Sequence, residues 1–207
     1  MEKAHQISVD ELQPLYDEMS KVWGINLETL NLDTANQYLD SYIMIKIENK
    51  SIDNDLSPSG QELVHKYFWY LFYEGTYGDP QTAQLASTEF LNYVINTFKA
   101  KVSAHKNETD VPEFYKNIRH VYFSAHDTTI GAFLAALELQ HTQKSLPPLA
   151  SLNLIELYKK GEKYYLNWNM NGEFLNINDK CSAQGDCELT LALDFFASKT
   201  IPDLEKS

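Results

Sequence analysis

Arginine is almost absent from this sequence. Of its 17 basic residues only Arg119 is an arginine, and the others are lysines. Sites that bind phosphate commonly use several guanidinium groups, because these planar, forked donors match the oxygens of the anion. A phosphate site of that kind, built from this chain alone, is therefore excluded.

Positive charge is also scarce overall. The chain carries 29 acidic residues against its 17 basic ones, which gives a net charge of −12. Such a surface repels polyanions, so nucleic acid and anionic membranes are excluded as partners. No hydrophobic run approaches the roughly 20 residues of a membrane-spanning helix, so we expect no membrane span. Residues 1–6 lack an apolar core, so we expect no signal peptide.

Cysteine is limited to two residues, Cys181 and Cys187. Two thiols without a nearby third or fourth ligand argue against a zinc site. Their close spacing, with Gly185 between them to permit a tight turn, is compatible with a local disulfide and equally with two free thiols. The glycosylation sequons at Asn49 and Asn107 favour a secretory compartment, and with it the disulfide, by a small margin.

The length of 207 residues, 43% of them hydrophobic, suits one sizeable domain or two small ones. Residues 1–115 predict a mainly helical region, which includes a helix at residues 82–101. Residues 116–207 mix strand and helix patterns and predict an α plus β region that ends in a closing helix at residues 189–199.

For two stretches of the helical region the sequence also predicts which side chains are buried. Residues 34–47 predict an amphipathic helix with Tyr38, Ile43 and Ile47 as inward positions. Residues 67–73 are apolar or aromatic on all sides. This is typical of a helix buried between other elements, and a partner-binding surface is the alternative.

The second region reads as alternating strands and turns. Residues 121–124 predict a buried strand, and residues 128–139 predict a helix with a threonine cap. Residues 151–158 and 163–169 predict two strands joined by a tight turn. Asn171-Gly172 then predicts a hairpin into a third strand.

The motif Ser124-Ala125-His126-Asp127 lies between the predicted strand and the predicted helix. This position places an imidazole, a carboxyl group and backbone N–H groups around one point, which suits an anion. Three interpretations compete. Asp127 caps the helix beside a packed His126; the pair binds a metal, although no other histidine has ligand spacing; or the pair is an acid–base and anion site.

The surrounding sequence resembles a known family. Residues 120–130 (HVYFSAHDTTI) resemble the C-terminal His-Asp signature of the histidine acid phosphatases. The two cysteines before the last helix match the prostatic and lysosomal members. The strong part of the resemblance spans roughly residues 115–200, with a weaker similarity to the family's helical cap. The other matching stretches are residues 73–78, 90–94, 146–151, 155–158 and 161–165.

The resemblance implies a reaction and roles for two residues. In this family a histidine nucleophile takes the phosphoryl group, and water then releases it. His126 would be a catalytic and substrate-binding residue that touches the phosphate oxygens, and Asp127 would protonate the leaving alcohol of a phosphomonoester. Activity at acidic pH would follow, because the donor must hold its proton until transfer. The resemblance implies no metal and no cofactor, a disulfide between Cys181 and Cys187, and a secreted or lysosomal (vacuolar-type) location.

The family's nucleophile motif, Arg-His-Gly-x-Arg, is absent from the chain, because no histidine precedes a glycine. The pair Arg119-His120 continues into Val121 on the predicted strand and is not that motif. We therefore expect an α/β fold: the C-terminal half of a histidine-phosphatase core at residues 116–207, behind a helical cap region at residues 1–115. The N-terminal central strand would be missing.

Two functional hypotheses result. In the first, the chain is part of an acid phosphatase, inactive alone and completed by a missing N-terminal half or partner chain. In the second, it is a truncated, non-catalytic phosphatase-like protein that serves binding or interaction. Loss of a central strand would expose a sheet edge and apolar surface, both of which favour association with another chain.

Overall fold

A computed structural model of the protein describes residues 9–140, 147–177, 179, 181–182 and 185–202. The chain divides into two compact units, one ending at Thr76 and the other beginning at Tyr77. Helices and an antiparallel sheet make up the described residues, so the predicted combination of α and β elements is confirmed. None of these residues belongs to a helix long and apolar enough to cross a membrane.

Helices build the first unit. A 3-10 turn leads into the first helix, and a π-helix continues the last one. The elements are the turn Val9–Leu12, α1 (Gln13–Trp23), a second 3-10 turn (Leu27–Thr29), α2 (Leu32–Ile47), α3 (Pro58–Trp69) and the π-helix Tyr70–Thr76. Their shared core includes Leu12, Leu15, Met19, Leu39, Val64 and Tyr67.

The buried face of α2 differs from the predicted one. The helix buries side chains that are spaced four and three residues apart, namely Ala35, Leu39 and Tyr42. Ile43 is half-buried, but Tyr38 and Ile47 are 47% and 49% exposed, so their prediction as inward residues is wrong. Apolar side chains surround much of this helix, and their spacing alone does not fix which side packs.

The aromatic stretch at residues 67–73 is buried or half-buried throughout, so the predicted burial is confirmed. The Tyr67 hydroxyl donates a hydrogen bond to the Leu32 carbonyl at the start of α2. Within the π-helix, the Thr76 hydroxyl donates to the Leu71 carbonyl (2.7 Å). The buried Tyr67 hydroxyl is therefore satisfied by a backbone group, as burial requires.

Glu18 of α1 caps the N-terminus of α3. Its carboxylate accepts hydrogen bonds from the Ser57 backbone N–H (2.5 Å) and hydroxyl (3.0 Å). The same hydroxyl oxygen accepts from the Gly60 N–H (3.1 Å). A Cβ atom at Gly60 would overlap the Glu18 carboxylate, so glycine is required by this close approach. The negative charge also complements the dipole of α3.

Asp55 lies between α2 and α3 and bonds back to side chains of α2. Its carboxylate accepts hydrogen bonds from the Tyr42 hydroxyl (2.7 Å) and the Leu56 N–H (2.8 Å), and it pairs with Lys46 (2.7 Å). The Lys46 hydrogen bond, and next the one from Tyr42, hold the pKa of Asp55 below its ordinary value. Burial and then the bond to Asp55 raise the pKa of Tyr42.

The second unit combines helices with the sheet. Its helices are α4 (Pro80–His105), α5 (Glu113–Asn117), α6 (Asp127–Ala136) and α7 (Leu189–Ser198). Its strands are β1 (Asn153–Lys160), β2 (Lys163–Met170), β3 (Glu173–Phe174) and β4 (Asp186–Glu188). The predicted closing helix is confirmed as α7.

The sheet is centred on β2. The whole of β1 pairs along one edge of β2, and β3 and β4 share the other edge, all antiparallel. The predicted strand pair and the hairpin at Asn171-Gly172 are confirmed. Both turn residues have positive φ (53° and 92°), as a tight two-residue hairpin requires. The three-residue strand β4 was not predicted, because it is too short to show an alternating pattern.

Trp168 of β2 anchors the inner face of the sheet and is 1% exposed. Its ring centroid lies 5.0 Å from that of Phe133 in α6 and 6.3 Å from that of Phe196 in α7. A large indole between two helices buries more apolar surface than any aliphatic residue could at this position. Trp168 therefore connects the sheet to both α6 and α7.

The two cysteines and the two sequons are all described. Cys181 and Cys187 form a disulfide with Cα atoms 4.5 Å apart, so the expected pairing is present. Asn49 and Asn107 are exposed, have positive φ (53° and 57°), and follow the ends of α2 and α4. Asparagine is the usual alternative to glycine at such helix ends. Their glycosylation stays a prediction.

We expect Gly60→Ala to destabilise the first unit by about 1 kcal/mol, the typical cost of losing a helix cap, because the new Cβ displaces the Glu18 carboxylate. Urea unfolding of G60A, E18A and the double variant measures this. In the E18A background the overlap is absent and alanine is the better helix former. The same substitution should therefore stabilise that background, and an equal loss in both would contradict the capping role.

The Asp55 contacts predict a pH dependence. The pKa of Asp55 is lower in the folded than in the unfolded protein, so its contribution is present above the unfolded pKa and is lost as pH falls through the folded pKa. Wild type should therefore exceed D55N in unfolding free energy at neutral pH, and the two should converge in acid. Urea titrations over a pH series test this, and a gap that stays constant would contradict it.

Candidate functional site

His126 and Asp127 lie at the N-terminus of α6. The helix begins at Asp127, and His126 is its N-cap, with extended backbone angles (φ −106°, ψ 165°). The His126 carbonyl accepts the first helical hydrogen bonds, from the N–H groups of Thr129 (3.1 Å) and Ile130 (3.2 Å). The helix thus starts one residue before the predicted start, and the predicted threonine cap is wrong.

Hydrogen bonds within the first turn hold this N-terminus. The Asp127 carboxylate accepts from the Thr128 N–H (2.7 Å), and the Thr129 hydroxyl oxygen accepts from the His126 N–H (3.4 Å). A carboxylate at this position also interacts favourably with the helix dipole. Asp127 therefore caps the first turn of α6, in addition to any chemical role. His126 is exposed, so it is not the packed turn residue of the structural interpretation.

Residues 131–136 of α6 are buried. Ala135 and Ala136 pack against Ala83 of α4, and these small side chains allow close approach of the two helices. Phe133 contacts Phe90 of α4 edge to face, with centroids 5.2 Å apart. It also contacts Trp168 of the sheet. His126 and Asp127 therefore lie at the end of a helix that packs against both α4 and the sheet.

Tyr77 is a neighbour of the site that the sequence did not identify. Its hydroxyl donates a hydrogen bond to the carbonyl of Thr128 (3.2 Å). Burial raises the pKa of Tyr77, and the charge of Asp127 adds to this effect. In the sequence Tyr77 belongs to the stretch 73–78 and to the turn before α4, and no pattern links it to Thr128, which is 51 positions away.

The predicted strand before the motif does not pair with the sheet. Arg119–Ala125, which we call the unpaired segment, runs without helix, turn or bend and makes no backbone hydrogen bond to any described residue. Phe123 packs its ring against Phe90 and Tyr93 of α4, at 5.2 and 5.3 Å. Tyr122 is 75% exposed and Phe123 46%. The prediction of a buried strand is wrong: Tyr122 and Phe123 are exposed, and none of the strands in the described part of the chain pairs with the segment.

Three of the other histidines lie within the described residues. His65 and His105 lie in α3 and α4, and His105 bonds to the Tyr164 hydroxyl (2.9 Å). His120 is exposed on the unpaired segment, and His5 and His141 lie outside the described residues. Across the described ranges, no three His, Cys, Asp or Glu side chains are grouped as metal ligands.

The site offers an exposed imidazole and an exposed carboxyl group side by side. Such a pair can bind an anion and transfer a proton, but it contains no nucleophile held by a base and no guanidinium group. The sequence predicted both residues and their place at a helix N-terminus. No protein-family model and no curated protein matches the chain.

The capping role of Asp127 is testable. Asp127→Asn keeps an acceptor but removes the charge, so we expect a loss of about 0.3–1 kcal/mol in unfolding free energy at low salt, and a smaller loss at high salt. The exposed carboxylate of Glu156 on β1 provides the control E156Q, which should change little. A more stable D127N would show that the carboxylate is unfavourable in the fold.

Proposed function

We propose that this chain carries the proton-donor half of a histidine-type acid phosphatase site. His126 contacts the phosphate oxygens of a phosphomonoester, and Asp127 protonates the leaving alcohol. The nucleophilic histidine and the arginines come from a segment outside this chain. The observation that carries the proposal is the exposed His126–Asp127 pair at the N-terminus of a helix that packing holds firmly on two sides.

The proposed chemistry divides into two steps. First, the external histidine attacks phosphorus, the bond from phosphorus to the alcohol oxygen breaks, and Asp127 gives that oxygen its proton. Second, water attacks phosphorus, the bond from phosphorus to the histidine nitrogen breaks, and the Asp127 carboxylate takes a proton from the water as phosphate leaves. The developing negative charge lies near the N-terminus of α6, whose dipole favours it. This chain thus supplies the proton and part of the anion site.

The same proposal includes the wider fold and the compartment. The sheet, α6 and α7 would be the C-terminal half of a histidine-phosphatase α/β core. The disulfide is compatible with an oxidising compartment, and we propose a secreted or lysosomal location.

A second function is favoured by a different observation. The unpaired segment exposes Tyr122 and a run of backbone groups without partners among the described residues, as a truncated interaction protein would. In that case the chain binds another protein and has no catalytic role. The two functions differ in whether a completed site turns over substrate.

The chain alone is expected to hydrolyse aryl phosphate at mildly acidic pH no faster than buffer, because it lacks the Arg-His-Gly-x-Arg motif and has a single arginine. A discontinuous phosphate assay of the purified protein measures this. Turnover that disappears in H126A would contradict the assignment of the nucleophile to another segment.

Adding the missing segment tests the role of Asp127. If the transcript upstream of Met1 encodes an in-frame Arg-His-Gly-x-Arg motif, we expect the extended protein to be active. D127N should then reduce hydrolysis of an alkyl phosphate by about 10²–10⁴-fold and that of a nitrophenyl phosphate much less, because a good leaving group needs little protonation. E156Q is the matched control. Equal losses on both substrates would contradict proton donation, and an inactive extended protein would favour the interaction protein.

A further inference from the structure

The unpaired segment belongs to no helix, turn or bend and to no described strand. Phe123 packs it against α4. Alternation along an extended chain directs Tyr122 to the side opposite Phe123, which agrees with the high exposure of Tyr122. The backbone groups of such a strand are prearranged to pair with another strand, and none within the described residues does so.

The segment also lacks the protection that exposed edges usually have. Natural edge strands carry lysines, prolines or inward charges that prevent pairing. The outer edge of the sheet, β1, contains Glu156, Lys159 and Lys160. The stretch from Val121 to Ala125 has no charged residue and no proline. The charges of β1 therefore protect its edge from pairing, whereas residues 121–125 have no such protection.

Charge indicates both the partner and its direction. Arg119 begins the segment and forms no ion pair with any part of the chain that the structure describes, and Asp127 follows its end. In an extended strand the eight residue steps from Arg119 to Asp127 span about 26 Å, too far for the two to pair within one chain. A second copy that runs antiparallel, with Phe123 at the two-fold axis, places each Arg119 opposite the other copy's Asp127. A parallel arrangement would place like charges together.

We propose that two copies of this chain associate through their unpaired segments, as an antiparallel two-stranded ribbon around a two-fold axis. Main-chain hydrogen bonds join the copies, Tyr122 of each lies beside Ser124 of the other, and two Arg119–Asp127 pairs close the ends. Such an isologous contact is self-limiting, since each copy uses its only segment of this kind among the described residues. The proposal does not rest on phosphatase activity, although the ribbon engages Asp127.

Sedimentation velocity over a concentration series tests the association with Tyr122→Lys. Tyr122 is mostly exposed, so the fold should be unchanged, which circular dichroism can verify. We expect a reversible dimer for wild type. The lysine charge should raise the dimer dissociation constant about tenfold or more, because a two-fold contact contains each substitution twice. The control Leu149→Lys replaces another exposed apolar residue (65%) and should dimerise like wild type. Arg119→Glu should weaken the dimer because it creates a like-charge contact with Asp127.

Hydrogen exchange locates the contact. Amides of residues 119–125 should exchange more slowly at high than at low protein concentration, and those of β1 should not change. A wild-type monomer throughout the micromolar range would overturn the proposal. So would a dimer whose segment exchanges equally at both concentrations, or a continuous series of larger oligomers. None of these measurements depends on hydrolysis. A failure of the dimer proposal therefore does not decide the phosphatase proposal, which is tested by the hydrolysis assays.

Discussion

The packing of α6 between α4 and the sheet is the contact on which the second unit depends. Phe133 touches Phe90 of α4 on one side and Trp168 of β2 on the other, so one ring links all three elements. The alanines of α6 let the helices approach closely. Because this helix cannot shift without disturbing both neighbours, its N-terminus is a fixed point. His126 and Asp127 gain their defined position from residues that have no chemical role.

Local chemistry made much of the fold predictable. Asn171-Gly172 specified its hairpin, because both positions need positive φ, and Gly161 ended β1 in the same way. The inward face of α2 was not predictable, because apolar residues lie on several sides of it and only tertiary packing selects Ala35, Leu39 and Tyr42. The sequence also located His126 and Asp127 at a helix start, but it could not reveal Tyr77, whose contact with Thr128 depends on how α4 and α6 meet.

The failed strand prediction has a different physical cause. Val121, Tyr122 and Phe123 have strong strand preferences, but the structure assigns them to no strand. A strand is completed by hydrogen bonds to a neighbour, and propensity says nothing about whether a neighbour exists. The burial inferred from the local preference was therefore wrong. Helix predictions do not depend on a neighbouring segment in this way, since the backbone hydrogen bonds of a helix are internal.

The unpaired segment and the His126–Asp127 pair are adjacent, and the strand that the phosphatase proposal calls missing would bear on both. A strand that carried the nucleophile and its arginines would cover the exposed backbone and supply the charge that this chain lacks. It would also occupy the edge that a second copy uses in the proposed ribbon. The two arrangements therefore compete: a completed phosphatase cannot pair its segments, and a self-paired chain cannot accept the missing strand. If both proposals hold, self-association must weaken as the missing strand is added.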